Sequence, residues 1–171
     1  QPGGLSSDGE KVDRTIGDFL PSPFPVVTVM LKNDDRVTAG GGLGSMTMGT
    51  GRLHHDPVIT EVVYIQSARH EFGHALVGLS DEREGLQTFD AEKGRSFINV
   101  TTETRRDFIK WKHWIDDPAI PIPTPASDVY AGKIGLFEGA YLYSKGWYRP
   151  KLTCIMREVS DSSGETPPFC E

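Results

Sequence analysis

Apolar and polar residues follow one another along the chain in patterns that predict two well-defined elements. A run of β-branched and apolar residues, Val26–Leu31, predicts a strand. Between Thr60 and Val77 the apolar residues recur at helical spacing, and no proline interrupts the stretch. Gly78 is predicted to end this helix, because glycine readily adopts the positive φ found just beyond the last turn.

The other segments give weaker patterns. The glycine-rich run at residues 39–51 predicts an irregular edge strand, with a flexible loop as the alternative. A short strand is predicted around Phe97–Val100, and a second helix is predicted from Thr104 to Ile115. Four prolines within Asp117–Pro125 predict an extended connector, and Gly132–Arg157 is predicted to form short turns.

Composition and charge narrow the class of protein. The 171 residues include 19 glycines and 12 prolines, which disfavours a helical bundle. The net charge of −6 gives no reason to expect a nucleic-acid partner, and no apolar stretch is long enough to predict a membrane span. Residues 1–25 are expected to wrap the surface or stay flexible, whereas residues 26–171 are expected to form one domain. No heptad repeat occurs, so a monomer is expected.

The candidate chemistry lies within the predicted helix, at His70-Glu71-Phe72-Gly73-His74. Residues four apart share one face of a helix, so the imidazoles of His70 and His74 can bind one Zn²⁺ ion. Glu71 is rotated by about 100° from His70. It can therefore take a proton from the attacking water and deliver it to the leaving amine. A glycine at position 73 predicts close packing beneath the site, because glycine in mid-helix costs about 1 kcal/mol relative to alanine.

A catalytic zinc site requires a third protein ligand. Asp81 follows His74 by seven residues, just after the glycine that ends the helix, and is the predicted third ligand. The metzincin pattern similarly places its third ligand shortly after a glycine. Glu82 and Glu138 are the alternatives for this role. His54 and His55 are expected to be surface residues rather than ligands. His113, between Trp111 and Trp114, is expected to be a packed or hydrogen-bonded ring.

The two cysteines bear on the location of the protein. A bridge between Cys154 and Cys170 would stabilise the C-terminal tail by about 3 kcal/mol, and two reduced thiols are the alternative. Asn99-Val100-Thr101 is a glycosylation sequon, which has meaning only in a secreted chain. The chain also begins at Gln1, as it would after removal of a leader or propeptide. Together these features favour a secreted, extracellular protein.

Several blocks of sequence resemble one known family when they are taken in order. The family pattern is an HExGH helix followed by a Gly-Leu-x-Asp-Glu-Tyr turn, which matches His70–Glu82 and departs from it at Arg83. The further matching blocks are Asn99–Thr102, Lys110–Trp114, Pro121–Pro125, Gly135–Ala140, Lys145–Pro150, Cys154–Met156 and Phe169–Cys170. On these blocks the chain resembles the IgA-peptidase family of zinc metallopeptidases. The resemblance covers most of residues 60–171 and extends more weakly back to about residue 26.

The resemblance implies an α+β, metzincin-like fold. In such a fold a small twisted mixed sheet packs on the active-site helix, and the C-terminal part is rich in loops. The resemblance further implies that His70, His74 and Asp81 hold zinc. Glu71 is then the general base.

Two further roles come only from the resemblance. Met156 would form a methionine turn, a hydrophobic floor beneath the metal. Tyr148 would stabilise the oxyanion through its hydroxyl group, with Tyr141 and Tyr143 as competing candidates.

The resulting prediction is a secreted zinc endopeptidase that acts on protein or peptide substrates. The substrate backbone would pair with an edge strand from the Gly40–Gly51 region. The main alternative is a zinc-holding, non-catalytic protein, such as an inhibitor or a toxin-like binder, built on a peptidase scaffold. A third possibility is a structural domain without metal.

Overall fold

The computed structural model describes residues 28–32, 39–42, 45–49, 57–87, 97–158 and 167–169. Within these ranges the chain has an α+β fold, with one α-helix and two small β-sheets. The predictions for residues 1–25, His54, His55 and Cys170 lie outside the described residues.

A three-stranded mixed sheet precedes the helix in the chain. Its strands are β1 (Thr28–Lys32), β2 (Ala39–Gly42) and β3 (Ser45–Gly49), in the order β1-β3-β2. Strand β3 is parallel to β1 and antiparallel to β2. The predicted strand Val26–Leu31 is confirmed from Thr28 to Leu31, and its first two residues lie outside the described ranges. The glycine-rich run does supply an edge strand, β2, but its second half forms the central strand of this sheet.

The helix predicted from Thr60 to Val77 is confirmed as α1, Pro57–Val77. It begins with a proline, which is tolerated at the first helical position because the N–H group there needs no helical partner. The predicted stop is also confirmed, since Gly78 has φ 64°. Its N–H donates to the His74 carbonyl at 3.0 Å, and the Leu79 N–H donates to the Gly73 carbonyl at 3.1 Å.

Helix α1 lies against the first sheet, where Ala75 packs on Met46 of β3. On the helix, His70 and Glu71 are buried. Several of its apolar side chains are instead exposed: Ile65, Phe72, Leu76 and Val77. The face that carries the candidate chemistry therefore points into the protein.

A β-hairpin that the sequence did not predict forms the second sheet. Strands β4 (Phe137–Ala140) and β5 (Tyr143–Arg149) are antiparallel and are joined by Tyr141 and Leu142. These two residues have φ values of 54° and 65°, a conformation that usually requires asparagine or glycine. The usual sequence signal for a tight hairpin is therefore missing.

The predicted second helix, Thr104–Ile115, is wrong. The segment forms two short 3₁₀ turns, Arg106–Phe108 and Lys112–Trp114. Between them Ile109 is extended, with φ −62° and ψ 133°. Both Ile109 and Trp111 are buried in the same core cluster. Residues two apart point to nearly opposite sides of a helix, so a helix could not bury both in one core.

Other sequence predictions for this half of the chain have mixed outcomes. The predicted strand at Phe97–Val100 is wrong, because the pairing occurs at Thr101, which exchanges two backbone hydrogen bonds with Tyr148. Asp117–Pro125 contains no helix or named strand, as its prolines predict. Among the described residues, no helix is both long and apolar enough to cross a membrane.

Candidate metal centre

Helix α1 and the loop after it bring three metal-binding side chains together. The ligand atoms of His70, His74 and Asp81 all lie within 4.8 Å of one another. The two Nε2 atoms are 3.1 Å apart. Asp81 Oδ1 is 3.3 Å from Nε2 of His70, and Asp81 Oδ2 is 4.0 Å from Nε2 of His74.

These distances can be compared with those that a zinc ion requires. Donors placed tetrahedrally at about 2.0–2.1 Å from zinc lie about 3.3–3.4 Å from one another. The separations of 3.1 and 3.3 Å are close to that value, and the 4.0 Å separation, which is measured to the other oxygen of Asp81, is longer. Two imidazole nitrogens and one carboxylate form a donor set that suits zinc, and three protein ligands leave a fourth position open. The residues present therefore fit a zinc ion.

The rings of the two histidines are oriented by backbone carbonyl groups. Nδ1 of His70 lies 2.8 Å from the Ile155 carbonyl, and Nδ1 of His74 lies 2.6 Å from the Leu79 carbonyl. A carbonyl can only accept, so each Nδ1 must carry the hydrogen. In the neutral ring each Nε2 is then left with a lone pair directed at the candidate site, whereas in the protonated ring Nε2 of His70 donates to Asp81 Oδ1. Metal-binding histidines are commonly oriented in this way.

The electrostatic environment favours an ionised Asp81. Burial by itself raises the pKa of this carboxyl group, but hydrogen bonding with His70 and the charge of Arg83 outweigh burial, and the pKa is lowered. Arg83 donates to Asp81 Oδ1 from Nε at 3.1 Å and from Nη2 at 2.9 Å. The sequence did not indicate this contact between Arg83 and Asp81.

The environment of His70 has the opposite effect on its pKa. Burial lowers the pKa of the imidazole, but the hydrogen bond to Asp81 and the contact with the Ile155 carbonyl outweigh burial, and the pKa is raised. Asp81 therefore stabilises positive charge at His70, as it would stabilise a bound cation.

Glu71 lies beside this group and is buried. Burial raises the pKa of its carboxyl group, and the nearby His70 and His74 counteract only part of this effect. Among the described residues, no hydrogen bond or ion pair involves the Glu71 carboxylate. Its oxygens are therefore not committed to a structural partner in this part of the chain.

The underside of helix α1 rests on Met156. A Cβ atom added at Gly73 would lie 2.7 Å from Met156 Sδ and 2.9 Å from Phe169 Cε1. Both distances are too short for any residue other than glycine without movement. The close packing predicted at Gly73 is confirmed. Met156 is only 1% exposed, and its neighbour Ile155 supplies the carbonyl group that orients His70.

The two alternatives for the third ligand lie elsewhere. Glu82 is fully buried, and its carboxylate faces Asn99 Nδ2 at 3.0 Å and Cys154 Sγ at 3.2 Å. Glu138 lies on β4, where its Oε1 accepts a hydrogen bond from the Gly146 N–H at 3.1 Å. Of the three predicted carboxylates, the structure brings only Asp81 to the imidazoles.

The sulfur chemistry of the tail is only partly described. Cys154 is buried, and among the described residues its sulfur has no disulfide partner. Its predicted partner, Cys170, lies outside the described residues, so the disulfide stays a prediction.

Asn99, the first residue of the sequon, is not a surface residue. It is 7% exposed, and its Nδ2 donates to the Ser80 carbonyl at 2.8 Å and to Glu82 Oε1 at 3.0 Å. Glycosylation requires a free and accessible Nδ2. The interpretation of this sequon as a glycosylation site is therefore wrong for the folded protein.

The side chains of the predicted tyrosines pack against core clusters, and the backbone N–H of Tyr141 donates to the Asp81 carbonyl at 3.0 Å. The Tyr148 side chain packs against the core cluster that contains Trp111, and burial, with a smaller effect from Glu138, raises its pKa. Tyr141 and Tyr143 pack against the Trp147 ring at centroid distances of 5.3 and 6.1 Å. Among the described residues, no hydrogen bond joins any of these hydroxyl groups to the ligands. The oxyanion role of Tyr148 stays a prediction.

His113 lies on the second 3₁₀ turn and is exposed, so the expectation of a packed ring is wrong. It is not part of the metal-binding group.

Comparison with known proteins gives no assignment. A scan against known protein families finds no match for this chain, and a search of curated proteins finds no significant match. The function is therefore inferred from the site.

Proposed function

We propose that this protein is a zinc-dependent endopeptidase with a metzincin-like fold, similar to the IgA-peptidase family. Its substrates would be proteins or peptides, and it would act as a monomer. The observation that carries the proposal is the convergence of His70, His74 and Asp81 beside the uncommitted carboxylate of Glu71. A purely structural metal site would not need Glu71 at this position.

In this proposal His70 and His74 hold zinc through Nε2, and Asp81 holds it through its carboxylate. The hydrogens on Nδ1 stay with the Ile155 and Leu79 carbonyl groups, which keeps both rings in the binding orientation. When bound, zinc polarises the scissile carbonyl and lowers the pKa of a water molecule.

Glu71 would act as the general base. Its carboxylate takes a proton from the water as the water attacks the peptide carbonyl, and then delivers that proton to the departing amine. Tyr148 is the proposed donor to the oxyanion. A Tyr148→Phe variant tests this role, because loss of the hydroxyl should lower kcat with little change in KM.

The peptide would be held by strand β2, Ala39–Gly42. This strand lies at one edge of the first sheet and in contact with helix α1. Its glycines offer backbone groups without obstruction from side chains, which suits pairing with an extended peptide. Binding through the backbone would tolerate many different side chains.

We further propose that the protein is secreted. Because Asn99 is buried, the sequon gives no support to this location. The location rests on the family resemblance and on the Cys154–Cys170 pair. Mass spectrometry of protein alkylated without reduction tests the pair, since a bridge would leave neither thiol labelled.

The proposal is tested by metal analysis and by cleavage of casein and gelatin with and without a chelator. We expect bound zinc and a cleavage activity that the chelator abolishes. Glu71→Gln should keep the zinc but lower cleavage by about 10²–10⁴-fold, the usual contribution of a general base. Glu103→Gln is the matched control, because Glu103 pairs with Arg105 rather than with the site.

The possible outcomes separate the candidate functions. Cleavage by Glu71→Gln within tenfold of wild type would remove Glu71 from the mechanism. Zinc binding without cleavage of any substrate in a broad peptide library would favour the non-catalytic binder. Absence of bound metal would overturn the zinc site itself.

A further inference from the structure

Asn99 connects the two residues on either side of Asp81. Its Oδ1 accepts a hydrogen bond from the Ser80 N–H at 2.8 Å, and its Nδ2 donates to the Ser80 carbonyl at 2.8 Å. The same Nδ2 donates to Glu82 Oε1 at 3.0 Å. Both sides of one planar amide group are therefore used to hold the loop that carries Asp81.

The opposite side of this loop is also fixed to the protein interior. The Glu82 N–H donates to the Met156 carbonyl at 2.8 Å, and Glu82 Oε2 lies 3.2 Å from Cys154 Sγ. Glu82 is fully buried, and a buried carboxylate needs hydrogen-bond donors to offset its loss of hydration. Asn99 supplies one of these donors.

The Asp81 side chain itself is held much less firmly. It is partly exposed, and outside the metal-binding group its side-chain partner is the exposed Arg83. Its direction is therefore set by the backbone. That backbone is held by the bonds at Ser80 and Glu82 and by the Tyr141 N–H, which donates to the Asp81 carbonyl at 3.0 Å. From this geometry we infer that Asn99 is a positioning residue that directs the Asp81 carboxylate toward the imidazoles. The inference rests on the proposed zinc site.

Zinc affinity measured by competition with a chromophoric chelator tests this role without any activity assay. Replacement of groups that orient metal ligands typically weakens metal binding by about 10–100-fold. We expect a loss of this size for Asn99→Ala. The matched control is Thr124→Val, which removes a buried hydroxyl group. That hydroxyl donates to the Pro121 carbonyl at 2.8 Å and accepts from the Leu136 N–H at 2.8 Å. This substitution should destabilise the fold but leave zinc affinity unchanged.

A double-mutant cycle separates positioning from general support of the fold. In an Asp81→Ala background, Asn99→Ala should weaken zinc binding by less than about threefold, because the ligand that it positions is gone. The visible absorption of the cobalt-substituted protein should also change in Asn99→Ala and not in Thr124→Val, since that absorption depends on ligand geometry.

The outcomes distinguish this inference from the proposed function. If the wild-type chain binds no zinc, the zinc site fails and the positioning role fails with it. If it does bind zinc, two results overturn the positioning role alone. One is an unchanged zinc affinity in Asn99→Ala. The other is a loss of zinc affinity on Asn99→Ala that is equal with and without Asp81. Should Asn99→Ala fail to fold, Asn99→Ser replaces the amide with a shorter polar group that cannot bond Ser80 and Glu82 together, and it should show the same loss of affinity.

Discussion

Substitution of Gly73 by alanine sets two opposing effects against each other. In a helix interior, alanine is favoured over glycine by about 1 kcal/mol. Here the new Cβ would lie 2.7 Å from Met156 Sδ, and Met156 is buried and cannot move into solvent. Overpacking of a core typically costs about 1–3 kcal/mol. We therefore expect Gly73→Ala to lower the free energy of unfolding by about 1 kcal/mol, since packing outweighs helix propensity.

Urea unfolding of the metal-free protein, followed by circular dichroism, measures this difference. The matched experiment repeats Gly73→Ala in a Met156→Ala background, where the closest contact is removed. Phe169 is only partly buried and can turn aside, so the alanine should now stabilise by about 1 kcal/mol. A reversal of sign between the two backgrounds supports the packing of Met156 beneath Gly73. Stabilisation of the same size in both backgrounds would refute it.

Three further predictions follow from the structure. Zinc at a hundredfold excess over its Kd should stabilise the protein by about 2.7 kcal/mol and raise Tm by about 5–10 °C, whereas Asp81→Ala should abolish most of this shift. A Tm that does not respond to zinc would contradict the site. The side-chain hydrogen bond from Arg105 lowers the pKa of Glu103 from 4.5 to about 2. The stability that the ionised Glu103 contributes is therefore complete above pH 4.5, and it is lost as the pH falls toward 2. Carboxyl NMR titration should give a pKa near 2 for Glu103 and a higher pKa after Arg105→Ala, in which the backbone N–H of residue 105 still donates to Glu103. An unshifted wild-type value would contradict the pair. Leu142 has φ 65°, a backbone conformation that is costly for residues other than glycine. In urea unfolding, Leu142→Gly should therefore be more stable than Leu142→Ala by about 1 kcal/mol. Equal stabilities would contradict the positive φ.

Local patterns were enough to predict the helix and the chemistry that it carries. Helical spacing located α1, and the preference of glycine for positive φ located its end at Gly78. The separation of four residues placed His70 and His74 on one face, and the structure gives their Nε2 atoms a separation of 3.1 Å. These features depend on neighbours within one or two turns, so the sequence alone determines them.

The tertiary structure decided which carboxylate joins the histidines. Asp81 and Glu82 are adjacent in an irregular loop, where no periodicity indicates which side chain points toward the helix. The choice depends on Asn99, 19 residues from Ser80 in sequence, and on the carbonyl of Met156. The failed helix at Thr104–Ile115 and the unpredicted β4–β5 hairpin have the same cause. In each, burial against distant parts of the chain outweighs the local preference of the backbone, and a pattern confined to neighbouring residues carries no record of those distant contacts.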